Sequence, residues 1–170
     1  ECTKAIYNTP GTCYLRLGRG GEPRIHDKIT DFKIGKAIQI KDGQQVAVFS
    51  TGAIFEEANE AVQLLAKSNL NAALYTFPTV KPMDKKTIIA CAEQFDLLVT
   101  VEEHNIVGGF GSAVAEILAE LNTHRARLIR VGLEDKYSSI VGTQKYLRNE
   151  YGMSASAIAQ TVLHAITEQV

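Results

Sequence analysis

Residues 101–112, VEEHNIVGGFGS, bring two carboxylates, an imidazole and three glycines into one short stretch. Side chains of these types at this spacing could serve three purposes. Glu102, Glu103 and His104 could perform general acid–base chemistry, given a partner group and a tuned pKa. Gly108, Gly109 and Gly111 could let the backbone close around a phosphate, with the free N–H groups of a following helix pointing at it. The same residues could instead finish a strand and make a tight turn.

The nucleotide option is weakened by its own pattern. Gly109 and Gly111 supply the first two glycines of a GxGxxG fingerprint. The third position is Val114, where the helix must pack closely on its sheet. Glu134 and Asp135 stand near the spacing of a ribose-binding acid, a weak signal. The catalytic option lacks partners. No GxSxG elbow is present, and EEHN lacks the second histidine of HExxH, so no metal site is expected. The residues alone favour a strand end, or a contact with another chain, and assign no catalytic group. A second polar cluster holds Arg16, Arg19 and Arg24 among glycines. An arginine there could grip a phosphate bidentately, although a solvated loop is the plainer reading. His26, His124 and His164 stand singly and read as surface or packing residues.

The elements that must position these residues follow from periodicity. LLVTV (97–101) is an unbroken apolar run, expected of a strand covered on both faces. Behind the glycines, Phe110, Ala113, Val114, Ile117, Leu118 and Leu121 form a helical stripe. Phe55, Ala58, Val62 and Leu65 make another, with Glu56 and Glu57 in its first turn. AALYTF and RLIRV read as further strands. Asp84 is placed to cap a helix carrying Ile88, Ile89, Ala92 and Phe95, and FPTVKPMD (77–84) fixes an extended path into it. KAIQI and QVAVFST flank Asp42-Gly43, a hairpin signal. TCYLRL (12–17) is short and β-prone. A last helix starts near Ser154, with Met153 stapling onto Ile158. The expected fold is therefore α/β: a three-layer sandwich around a mostly parallel sheet, with an antiparallel edge strand.

Composition sets the class. With 45% hydrophobic and 22% charged residues in 170, the chain can bury a core unaided. A net charge of −1 gives no general affinity for nucleic acid or an anionic membrane. No apolar run approaches the roughly 18 residues that span a bilayer. Three cysteines without CxxC spacing fit a reducing cytoplasm. The chain opens on Glu1, and its first residues read as the middle of a longer polypeptide.

Three segments in order, YLRLGRG (14–20), FPTVKPMD (77–84) and VEEHNIVGGFGS (101–112), resemble the closing part of the transketolase-like, thiamine-diphosphate-dependent enzymes. The resemblance covers nearly the whole chain, with the C-terminal section of transketolase most similar and 1-deoxyxylulose-5-phosphate synthase next. It implies that residues 1–27 are the tail of a pyrimidine-binding domain and residues 28–170 a transketolase C-terminal domain. It further implies ketol transfer between sugar phosphates by a homodimer holding thiamine diphosphate and magnesium. Those would be bound by an N-terminal, pyrophosphate-binding part of the enzyme, because this chain has no Gly-Asp-Gly triplet. No cofactor is expected on this chain alone. The resemblance gives Arg19 the role of gripping the substrate's phosphate. It places Glu102, Glu103, His104, Gly108, Gly109 and Gly111 in a structural or interfacial strand–turn–helix. The alternative is a free-standing module that binds an anion or nucleotide at the Gly108–Gly111 turn.

Overall fold

The computed structural model describes residues 1–18, 20–21, 32–122 and 126–167. Arg19, Arg24, His26 and His124 lie outside the described residues, as does the expected domain boundary at 27–28.

Five strands form one sheet: β1 (Ile38–Lys41), β2 (Val46–Thr51), β3 (Ala72–Thr76), β4 (Leu97–Asn105) and β5 (Arg127–Leu133). Their spatial order is β1-β3-β2-β4-β5. The last four are parallel, and β1 runs antiparallel to β3 at the edge. The helices are α1 (Cys2–Tyr7), α2 (Phe55–Lys67), α3 (Lys85–Gln94), α4 (Phe110–Ala119), α5 (Gln144–Glu150) and α6 (Ala155–Thr167). Helices α2 and α6 cover one face, where Ala58, Val62, Leu65, Ile158 and Val162 pack on Val46, Val48 and Val99. Helices α3 and α4 cover the other, with Ile88, Ala92, Val114 and Leu118 on Ala47, Phe49 and Leu98. The fold is the α/β three-layer sandwich that the apolar runs predict. Each fully buried Val or Leu contributes about 1.5–3 kcal/mol over its exposed state, which is why the central strands tolerate almost no polar residue.

The hairpin expected at Asp42-Gly43 is not formed. β1 pairs with β3, not with β2, because both edges of β2 are occupied by β3 and β4. Gly43 serves close approach instead. A Cβ there would lie 2.0 Å from the Ala73 nitrogen, so the connection passes directly over the start of β3. Residues 12–17 also form no strand; a strand needs a neighbour, and none lies beside them among the described residues. Tyr14 and Leu17 are left exposed.

Asp84 caps α3 as its position predicts. Its carboxylate accepts from Thr87 N at 3.3 Å and Thr87 Oγ1 at 2.9 Å, and also from Ala37 N at 3.1 Å. At α6 the capping differs from expectation. The Ser154 hydroxyl faces Asn149 and Ser156, and it is Glu57 that accepts from Ala155 N at 2.7 Å. Met153 and Ile158 are buried in the same cluster.

The chain leaves β2 for β3 on one side, through α2. It returns through α3, on the opposite face, to β4 on the other side. The seam between β2 and β4 is therefore a topological switch point, where open α/β sheets gather ligands at the strands' carboxyl ends. Thr51 and Glu102 sit there in register.

Candidate functional site at the end of β4

Side chains alternate between the faces of a strand, so Glu102 and Glu103 point to opposite sides of the sheet. Between Val101 and Asn105 the pairing of β4 with β5 also shifts register. The two acids thus cannot act as a carboxylate pair, and each serves a different layer.

Glu102 turns inward, 2% exposed, toward α4. Its carboxylate accepts from Phe110 N at 2.6 Å and from Gly111 N at 2.7 Å. These donors belong to the first turn of α4, which has no side-chain cap of its own. A carboxylate there satisfies free N–H groups and sits favourably on the helix dipole. The position that spacing offers to a phosphate is thus filled by the protein's own anion. Glu102 faces its own helix.

The glycines follow from that contact. At Gly109 a Cβ would come within 2.2 Å of Glu102 Oε2 and 2.4 Å of the Asn105 carbonyl oxygen. At Gly111 it would meet Thr100 Oγ1 at 2.5 Å. Gly108 has φ of +73°, the left-handed region that favours glycine. The turn is laced further by polar side chains. Arg130 Nη1 donates to the Ile106 carbonyl at 2.8 Å and to Ser112 Oγ at 3.0 Å, and Gly108 N donates to the same hydroxyl. Asn105 accepts from Val107 N and donates to Asp135 at 2.9 Å.

Glu103 faces the α2/α6 layer. It accepts from Arg148 Nη2 at 2.8 Å and from Gln144 Nε2 at 3.0 and 2.9 Å. Arg148 is buried, and its Nη1 lies 3.9 Å from Glu57. This cation has no signature in the sequence. Its segment shows no apolar stripe, and one buried arginine has no local signature. Thr143, which caps α5 by accepting from Tyr146 N, is the signal that could have located the helix. Glu103, Leu133, Arg148, Tyr151 and Met153 help line a cleft of about 200 Å³.

His104 is exposed, with Nδ1 3.0 Å from the Asn105 carbonyl oxygen. Glu134 pairs with Lys136, and Asp135 with Asn105, so neither acid meets the glycine turn. Burial raises the Cys91 thiol above its ordinary pKa, which makes it a poor nucleophile. Among the described residues, no three His, Cys, Asp or Glu side chains gather into a metal site. No helix there is long and apolar enough to cross a membrane.

The arrangement is that of a braced scaffold, and similarity to known proteins places it. Residues 35–158, well over half of the chain, match the family model "Transketolase, C-terminal domain". The transketolase family protein y4mN of Sinorhizobium fredii is 33% identical over 170 residues, covering 99% of this chain and 49% of that protein. The 1-deoxy-D-xylulose-5-phosphate synthase of Heliobacterium modesticaldum is 36% identical over 158 residues, covering 93% of this chain and 24% of the synthase. A solved split-gene transketolase, an inactive β4 tetramer, superposes with a TM-score of 0.82 at 31% identity, over 91% of this chain and 50% of that one. The chain thus spans about half the length of two of these relatives and about a quarter of the third. It belongs to the transketolase family, as a transketolase C-terminal domain.

Proposed function

We propose that this chain is the C-terminal portion of a transketolase-type enzyme that transfers ketol units between sugar phosphates. It supplies inter-domain and dimer surface and one phosphate ligand, Arg19, and is inactive alone. The observation that carries the reading is the closed turn at the end of β4. The helix N-terminus at the switch point is already bonded to Glu102, so the position where open α/β sheets gather ligands is taken up internally. That also speaks against a free-standing anion or nucleotide module at this turn.

Residues 1–27 are read as the tail of a pyrimidine-binding domain and residues 28–170 as the C-terminal domain. Thiamine diphosphate and magnesium do not fit the residues of this chain. It has no Gly-Asp-Gly triplet, and its glycine turn closes on a carboxylate. The cofactor therefore belongs to an N-terminal, pyrophosphate-binding part. The split-gene relative, an inactive β4 tetramer of which this chain covers 50%, supports a division of labour of this kind. Free cysteines support a reducing, cytoplasmic setting. The synthase relative, at 36% identity, favours deoxyxylulose-phosphate synthesis as the second reading.

The test is Arg19→Ala in the assembled enzyme. A charge-assisted bond to phosphate contributes about 1.5–3 kcal/mol, or about 10–100-fold in affinity. The KM for phosphorylated sugars is expected to rise by that factor, with unphosphorylated analogues unaffected. Equal losses for both would remove Arg19 from the phosphate role.

A further inference from the structure

Open parallel sheets gather ligands at the carboxyl ends of their strands. On one face of this sheet that edge is plugged by Glu102. On the other face, beside Glu103 of β4 and Leu133 at the end of β5, it opens into the cleft of about 200 Å³ that Arg148 lines. Arg148 is what gives the cleft a chemistry. Its side chain is only 7% exposed, yet its donors are not used up. A guanidinium carries five N–H groups. Nη2 donates to Glu103 at 2.8 Å. Nη1 lies 3.9 Å from Glu57, beyond hydrogen-bond length. Nε is buried and meets no acceptor among the described residues. A buried cation with donors to spare favours an acceptor delivered through the cleft.

The remaining lining narrows what that acceptor belongs to. Leu133, Leu147, Met153 and the ring of Tyr151 form an apolar wall, and the Tyr151 hydroxyl is already bonded to Ser138. The charged lining residues are two acids and two bases, Glu103 with Arg148 and Glu134 with Lys136. A plain anion or a plain cation therefore gains from one pair and is opposed by the other, whereas a molecule with both charges is matched by both. Pockets for drug-sized molecules run to about 300–1,000 Å³, so this cleft takes something smaller. We infer that it binds a small zwitterion with an apolar side chain, the chemistry of an aliphatic α-amino acid. The carboxylate meets Arg148, the ammonium meets Glu134, and the side chain lies on Leu133, Leu147 and Met153. The inference is independent of the proposed function, since it needs neither thiamine diphosphate, a sugar phosphate nor a second copy.

The experiment is calorimetric titration of the full chain with L-leucine. The comparison ligands are N-acetyl-L-leucine, which lacks the ammonium, 3-methylbutylamine, which lacks the carboxylate, and glycine, which lacks the apolar side chain. Leucine is expected to bind with a Kd below about 1 mM, and each comparison ligand at least about tenfold more weakly. Arg148→Met is expected to weaken leucine binding at least about tenfold. Should that variant fail to fold, Glu134→Gln carries the argument, because Glu134 is exposed and its loss leaves the core intact; a loss of at least about fivefold is expected. No leucine binding up to about 10 mM would overturn the inference. So would a comparison ligand that binds as well as leucine, or unchanged binding in Glu134→Gln or in folded Arg148→Met.

Discussion

Glu102 is among the few polar residues in the core, and its partners explain why it is tolerated. Its two backbone donors open α4, so removing the carboxylate strands both in a buried site. A buried donor left without a partner costs about 1–3 kcal/mol. Glu102→Ala is therefore expected to lower the unfolding free energy by about 2–4 kcal/mol in urea titrations, with little loss for His104→Ala on the exposed neighbour. Asp84 gives a pH-dependent counterpart. Burial alone would raise its carboxyl pKa, but the bonds from Ala37 and Thr87 and the nearby Lys36 ammonium outweigh burial and hold it below the ordinary value. A carboxyl depressed on folding contributes stability above its unfolded pKa of about 4, and that contribution fades as pH falls through the folded value. Acid-unfolding curves of Asp84→Asn should accordingly be flatter on the acid side than those of the parent. Residue chemistry of this kind was only half legible. The glycines at 108, 109 and 111 declared a close approach, but the sequence could not say that the approaching group is Glu102, eight residues from the amide it binds.

At the scale of elements, the long apolar runs and helical stripes are legible in the sequence because burial on two faces leaves a strong pattern. The failures were connections. Asp42-Gly43 has the composition of a hairpin turn, yet the partner of β1 was settled by which strand edges remain free, a property of the whole sheet. Helix α5 leaves no such pattern because its buried residue is Arg148, and charge, not an apolar stripe, ties it down. That tie has a measurable size. Breaking a buried ion pair by removing one partner costs about 3–5 kcal/mol, and less here because Glu103 is partly open to water. Arg148→Met is expected to cost about 2–3 kcal/mol in chemical denaturation, with part recovered in the double variant Glu103→Gln/Arg148→Met. A full loss in the double variant would show that Arg148 acts through packing alone.

For the molecule as a whole, the switch point of the sheet is where a ligand would be sought, and there the chain has closed itself with its own carboxylate. Among the described residues, the exposed large apolar side chains include Tyr7, Tyr14 and Leu17 near the amino terminus, Val80 and Val107, and those of the segment 134–146. On the proposed reading, a domain built this way braces and joins, and the reacting group is held by another part of the enzyme. Calorimetric titration of the isolated chain with thiamine diphosphate and magnesium tests this most directly. No heat of binding is expected up to millimolar cofactor. Saturable binding at micromolar concentration would contradict it, because the cofactor site would then lie within these residues.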